Sequence, residues 1–403
     1  MILSGGLLTG CAAAGQSQPD AQEAVSEEVA EEAAVDESTE EPAAAEDAGS
    51  TESENTAADN AQASGFTIRV GAPIGPGAMG LVNLLPELPD QSAEAEQNTE
   101  TEQSAEADQS TETEPTGIVL TASLQELIDQ LKNEEIDAAI LPANVTAVLY
   151  QQTEGGVLAA DLCTAGTLTC VTGSGEISSL SDLSGKTVLM TGEGTSSEYI
   201  LKYLLKQSGV EDCSLTFSQS ASDVAAQLMT DPAGTIAFLP EPYATITLIG
   251  NTGIHRAFVL GTDQSGTNQP ETDQSGMAQG IPGQVLAVRR ASAEAQPEEL
   301  NRFLTAHQES IQAVLADPET AAQRIAEYGM IEKATVAQEA LPHCGLTYAS
   351  GEEMKAALTS YLEALYSVSE SAVGGELPGG DFYYISGQSS DQASEQNSDQ
   401  DSE

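Results

Sequence analysis

Four cysteines (Cys163, Cys170, Cys213 and Cys344) and three histidines (His255, His307 and His343) are the side chains of this sequence's body best suited to metal binding or nucleophilic catalysis. Their spacing supports neither. There is no Cys-x-x-Cys, and the histidines are too scattered for a zinc site, so no metal and no cofactor is expected. His343 and Cys344 are adjacent, and neighbours in a chain seldom face each other productively; His307 falls on a helical stripe, and both are read as structural. No Ser-His-Asp order or paired-carboxylate motif stands out, which argues against an enzyme. What remains are turns rich in Gly, Pro, Ser and Thr: Gly71 to Ala78, Pro142-Ala143-Asn144, Gly192 to Ser197 and Pro240-Glu241-Pro242. Glycines let a backbone approach a ligand closely, and Thr, Ser and Asn offer adaptable hydrogen bonds. The competing reading of each turn is helix capping alone.

Those turns need a scaffold, and the flanking residues describe one. Phe66 to Val70 alternates as a strand and enters the first turn, after which Met79, Leu81, Val82, Leu84 and Leu85 continue as a helix. Leu124, Leu127, Ile128 and Leu131 form a helical stripe, Ile136 to Leu141 a strand, and Pro142-Ala-Asn144 opens a helix through Val145, Val148 and Leu149. Lys186 to Met190 reads as a strand, Thr191 to Ser197 as a turn, and Tyr199, Ile200, Leu204 and Leu205 as a helix ending at Gly209. Ser222 is the expected cap of Asp223 to Met229; Thr235 to Leu239 is a strand, leading through Pro240-Glu-Pro242 into a helix from Tyr243 to Ile249. Each turn follows the C-terminal end of a strand, the edge where open α/β sheets bind ligands. After Gln284 to Val288 the pattern is helical only: one helix from Pro297, a second from Pro318 to Tyr328, a third from Ala334 to Leu341, and a fourth opened by a Ser350-x-x-Glu353 capping box. Two α/β units followed by a helical return predict a two-lobed α/β body whose C-terminal helices pack on the first lobe.

Charge marks what lies outside that body. The 403 residues carry 12 Lys plus Arg and 64 Asp plus Glu, a formal net charge of −52, with no Trp. Such a charge repels phosphate backbones and anionic headgroups, excluding nucleic acid and a polybasic membrane patch. Half of the acids, 32 of 64, fall in four low-complexity stretches: Ala12 to Ser64, Asp90 to Glu114, Gly261 to Gly280 and Ser386 to Glu403. The internal pair share Asp-Gln-Ser, starting at Asp90, Asp108, Asp263 and Asp273. They read as a disordered acidic tether, two polar insertions and a disordered tail, because long polar insertions add little loop entropy. The remaining body of about 276 residues suits two lobes with separate cores.

The first eleven residues end in Leu8-Thr9-Gly10-Cys11, which resembles the lipobox of a bacterial lipoprotein. That resemblance implies cleavage before Cys11, acylation of Cys11, and a lipid-anchored protein at the extracytoplasmic face of the cell membrane. The apolar run is short and has no preceding Lys or Arg, so the true signal peptide is expected to begin upstream of Met1. Export also makes the four body cysteines eligible for disulfides, with three connectivities left open.

Taken in order, the lipobox, acidic spacer, Ile68 to Leu81, Asp137 to Asn144, Leu183-Ser-Gly-Lys-Thr-Val188, Gly192-Glu-Gly-Thr-Ser196, Leu239-Pro-Glu-Pro242, Gly374 to Pro378 and Asp381-Phe-Tyr-Tyr384 resemble substrate-binding lipoproteins of ABC transporters. The family is the one that binds thiamine-precursor pyrimidine, aliphatic sulphonates, taurine or nitrate. The resemblance implies a type II periplasmic-binding-protein architecture with two crossing strands, expected near Thr167 to Val171 and Gln284 to Val288. It divides the chain into 1–11 (signal and lipobox), 12–65 (tether), 66–168 with 287–385 (lobe one, insertion 90–114), 169–286 (lobe two, insertion 261–280) and 386–403 (tail). The implied ligand residues are Gly75, Pro76, Gly77, Ala78, Met79, Pro142, Ala143 and Asn144 from lobe one. From lobe two they are Gly194, Thr195, Ser196, Ser197, Pro240, Glu241 and Pro242. Glu241 is the one acid among them, with two readings: a first-turn helix acid complementing the macrodipole or, if it points into the cleft, a partner for a cationic or amino-bearing ligand. The partners implied are a small-molecule ligand and an ABC permease with its ATPase, the protein acting as a monomer that closes by hinge motion. Two rival functions share the fold: a ligand-sensing surface lipoprotein and an enzyme of the pyrimidine-biosynthesis type.

Overall fold

A computed structural model of the protein describes residues 65–86, 117–166, 168–260 and 280–387. Cys11 with its lipobox, the tether, the insertion 90–114, nearly all of the insertion 261–280 and nearly all of the tail lie outside the described residues.

Two sheets carry the molecule, as the two-lobed expectation requires. The larger has six strands in the order β11-β4-β10-β3-β1-β2: β1 (Val70–Pro73), β2 (Ile118–Thr121), β3 (Ala138–Pro142), β4 (Val157–Thr164), β10 (Gln284–Arg289) and β11 (Leu346–Ser350). The smaller has five, in the order β7-β6-β8-β5-β9: β5 (Leu168–Thr172), β6 (Thr187–Met190), β7 (Ser214–Phe217), β8 (Ile236–Pro240) and β9 (His255–Val259). β1 pairs parallel with β2 and β3, and β6 with β7 and β8, as strand-helix-strand crossovers demand. β10 runs antiparallel between β3 and β4, and β5 antiparallel between β8 and β9.

Helices fill the connections. In lobe one these are α1 (Pro76–Met79), α2 (Leu124–Lys132) and α3 (Ala143–Gln152); in lobe two, α4 (Ser196–Gln207), α5 (Ala221–Thr230) and α6 (Tyr243–Gly250). The return is α7 (Arg290–Ala295), α8 (Pro297–Ala316), α9 (Pro318–Glu327), α10 (Ala334–Ala340) and α11 (Gly351–Val368). α8, α9 and α10 bury Leu300, Phe303, Ile311, Ile325 and Ala337 with β1 residues Val70 and Ala72 in one core. α11 bridges: Leu358, Leu362 and Leu365 share a core with Leu201 of α4, Phe238 of β8 and Leu162 of β4. The closing segment is locked beneath α3, where the Tyr150 hydroxyl donates to Asp381 at 2.7 Å and Arg290 Nη2 meets the same carboxylate at 2.9 Å. Burial, with this hydrogen bond adding to it, pushes the Tyr150 phenol up to about 12.

Several local expectations shift. The first strand begins at Val70 and takes in Gly71-Ala-Pro73, and the helix after it is one turn, followed by a 3-10 turn at Val82–Leu84. Ser220, not Ser222, caps α5, accepting from the Asp223 N–H at 3.0 Å. Ser350 stands at the N-cap of α11 without the side-chain hydrogen bond of a capping box. The C-terminal region is not helical throughout, since β11 adds an edge strand to β4. Both crossings fall earlier than expected: Leu168–Thr172 already belongs to the smaller sheet and Gln284–Arg289 to the larger one. The passage between sheets lies instead around Ala165 and Pro282, which bridge each other, with the Gly166 N–H donating to Ile281 O at 2.9 Å.

Candidate ligand cleft

Where the two passages meet, a cavity of about 100 Å³ opens between the lobes. Each wall is a strand end. From lobe one come Pro76, opening α1 after β1, and Pro142, closing β3; from lobe two come Ser196 and Ser197 at the start of α4, with Pro240 closing β8 and Glu241 following it. Six of the residues singled out from sequence thus converge on one space, from four turns separated by up to 165 positions.

The others sit behind it. Ala78 and Met79 are fully buried in the lobe-one core, and Ala143 packs in the core that α11 bridges. Asn144 is buried, its Nδ2 3.5 Å from Ala372 O and its Oδ1 without a partner. The Gly77 N–H donates to Gln284 Oε1 at 2.9 Å, the Thr195 hydroxyl donates to Gly192 O at 2.6 Å, and the Gly194 N–H donates to Glu198 Oε2 at 2.6 Å. Gly75, at φ 156°, is the N-cap of α1, and Pro242 the N-cap of α6. These residues shape the turns and do not line the cavity.

Ten lining residues escape the sequence reading: Thr164, Gly166, Leu168, Leu260, Ile281, Pro282, Gly283 and Gln284 from the passages, Ile200 from α4 and Tyr361 from α11. Their short segments carry no motif, and only the pairing of distant strands brings them together. Gln284 has the clearest role. Its side chain accepts from Gly77, while its own N–H donates to the Thr164 hydroxyl at 2.8 Å, tying both passages to the first turn.

Glu241 takes the helix-acid role of its two readings, at the start of α6. It is 1% exposed, its Oε1 is paired with Arg256 of β9 at 2.5 Å, and its Oε2 accepts from the Thr245 N–H at 3.1 Å. The cation that this carboxylate meets is an internal one. Arg256 also donates to the Thr245 hydroxyl at 3.1 Å, and its buried Nε has no partner. The turns hold no Lys or Arg, as the sequence says, but the strand behind them supplies one. Catalytic groupings do not assemble here: His307 is buried against Asp161 at 2.8 Å, and neither residue lines the cavity. Among the described residues no group of three or more His, Cys, Asp or Glu could hold a metal ion.

With this geometry in place, comparison with known proteins is informative. Residues 157–321 match the family model described as NMT1/THI5 like. No curated protein matches the chain. Among solved structures, an ABC transporter protein from Parabacteroides distasonis superposes with a TM-score of 0.60 at 20% identity, covering 79% of this chain and 99% of the other. The periplasmic aliphatic sulphonate binding protein SsuA from Escherichia coli gives 0.55 at 16% identity, covering 78% and 95%. A zinc-bound ligand binding component of an ABC-type import system from Staphylococcus aureus gives 0.50 at 15% identity, covering 79% and 96%. The fold expected from the resemblance is therefore observed, and a stretch from β4 to α9 matches the NMT1/THI5-like family model. The named neighbours are binding and transport components.

Proposed function

We propose that this chain is the solute-binding protein of an ABC importer, anchored by a lipid on Cys11 at the extracytoplasmic face of the membrane, and that it captures a small organic solute between its lobes. One observation carries the reading: four strand-end turns, two from each sheet, face a single cavity bounded by the two passages between the sheets. A ligand held by Pro76 and Pro142 on one side and Ser196, Ser197 and Pro240 on the other gains its full set of contacts only when the lobes approach. Its binding energy then favours the closed state, which an ABC permease with its ATPase can distinguish from the open one. The prolines of these turns suit this role, since their rings fix φ before the ligand arrives. The sulphonate-binding and import-system neighbours support the same use of the fold. No described helix is long and apolar enough to cross a membrane, so the proposed attachment rests on Cys11.

The test is native mass spectrometry of the full chain, purified without refolding, beside small-angle scattering with and without added solute. A stoichiometric small-molecule adduct lost on denaturation, with a smaller radius of gyration when loaded, is the expected result. A bare chain whose unfolding temperature is unmoved by pyrimidines, sulphonates, amines and nitrate would sink the reading. Detergent-phase partitioning checks the anchor: the parent enters the detergent phase and Cys11→Ala stays in the aqueous one.

A further inference from the structure

Resting on the solute-binding reading, we infer that the ligand of this cleft is a compact, uncharged solute. The argument begins at the helix starts. Free N–H groups after strand ends are the usual seat of an anion in such folds. Here each turn has a donor engaged by the protein itself. Gly77 N–H donates to Gln284 Oε1 at 2.9 Å, and Ala143 N–H to Gly283 O at 2.9 Å. Gly194 N–H donates to Glu198 Oε2 at 2.6 Å, and Thr245 N–H to Glu241 Oε2 at 3.1 Å. Two of these acceptors are carboxylates placed at the positive ends of α4 and α6, where they match the helix dipoles; each is already paired with a cation of the protein, Glu198 with Lys202 and Glu241 with Arg256, so neither helix start keeps an unspent positive charge for an anion. Among the described residues the cavity lining itself adds no Lys or Arg.

A cation fares no better. Among the described residues Glu241 is the only charged one of the lining, and Arg256 already neutralises it. A ligand ammonium competing for Glu241 would leave a largely buried guanidinium unpaired, which costs more than one exposed ion pair returns. What the cleft does offer is neutral. Ser196, Ser197 and Gln284 bring hydroxyls and an amide, while Ile200, Leu260 and Ile281 bring apolar surface. Groups of this kind pair with uncharged donors and acceptors on a partly apolar body. The volume of about 100 Å³ sets a small scale for the solute. The cleft is therefore poorly suited to the sulphonate named for its Escherichia coli neighbour.

Titration calorimetry of the full chain against probe pairs differing in charge tests this: nicotinamide with nicotinate, ethanesulphonamide with ethanesulphonate, and propanol with propylammonium, each at low and high salt. In every pair that binds, the uncharged member is expected to bind at least tenfold more tightly, with an affinity that salt leaves unchanged. A charged member that binds more tightly, or an affinity falling steeply with salt, overturns the inference while leaving the solute-binding reading intact. So does a co-purified solute that carries a net charge. If no pair binds and no adduct co-purifies, the solute-binding reading fails and takes this inference with it.

Discussion

His307 reads as structural from its helical stripe, but sequence alone does not give its partner, Asp161. His307 Nδ1 lies 2.8 Å from Asp161 Oδ2 with both side chains wholly buried, and Asp161 Oδ1 accepts from the Leu286 N–H at 3.1 Å, where β10 shifts register against β4. Removing one partner strands the other, so His307→Leu should lose about 3–5 kcal/mol in urea unfolding with ligand affinity unchanged. A loss below about 1 kcal/mol would mean that the pair is structurally idle. Asp137 gives a pH signature. Burial pushes its carboxyl up, but the Arg69 guanidinium and N–H and the Ser292 hydroxyl outweigh burial and hold it below the ordinary 3.8. A depressed folded-state pKa stabilises fully above the ordinary value and is lost as pH falls through the folded one. Asp137→Asn should therefore be less stable than the parent at neutral pH, the gap closing as acid takes the solution below 3.8; parallel curves would refute it. The sequence shows that Glu241 is the lone acid of the proposed site, but its internal cation sits 15 positions away on a strand with no alternation, His255–Val259.

At the scale of elements, legibility follows how local the signal is. Helical stripes and the turns after β3, β6 and β8 are encoded within a dozen residues and were expected close to where they lie. β4 and β9 were not. The polar Asp161 and Thr164 inside the buried run Val157–Thr164 break the apolar pattern, and their partners, His307, Leu286 and Gln284, are supplied from far along the chain. β11 is five residues between helices, and it depends on Gly345. There φ is 65°, the carbonyl accepts from the Ala165 N–H at 2.8 Å, and an added Cβ would lie 2.0 Å from Ala165 O. Gly345→Ala should cost about 3 kcal/mol or more, combining left-handed strain with a backbone clash. Gly329, at φ 68° with open space around it, is the control and should lose only about 1–2 kcal/mol on the same change. Equal losses in thermal unfolding would show that the close approach beside the passage is unimportant.

For the whole molecule, the ordered motifs make the two-lobed plan legible, because strand-turn-helix units repeat; what they cannot encode is how the lobes touch. Beyond the passages, α11 lies on α4 and α10 on α6, so contacts flank the cleft on both sides. His343, ending the 3-10 turn Leu341–His343 after α10, belongs to lobe one, and the charges acting on it belong to lobe two. Burial lowers its pKa below 6.5, the Arg256 cation lowers it further, and Glu241 acts in the opposite sense. A histidine whose folded-state pKa is depressed binds fewer protons than in the unfolded chain. Its neutral form then supports the fold fully above 6.5, and that support is lost as pH falls from there through the folded value. Unfolding temperature followed from above neutrality into mild acid should therefore drop more steeply in the parent than in His343→Gln, which has no proton to take up. Because the carboxylates common to both proteins titrate lower, the difference between the two curves isolates this contact; identical slopes would show that acid does not act on the lobes through His343.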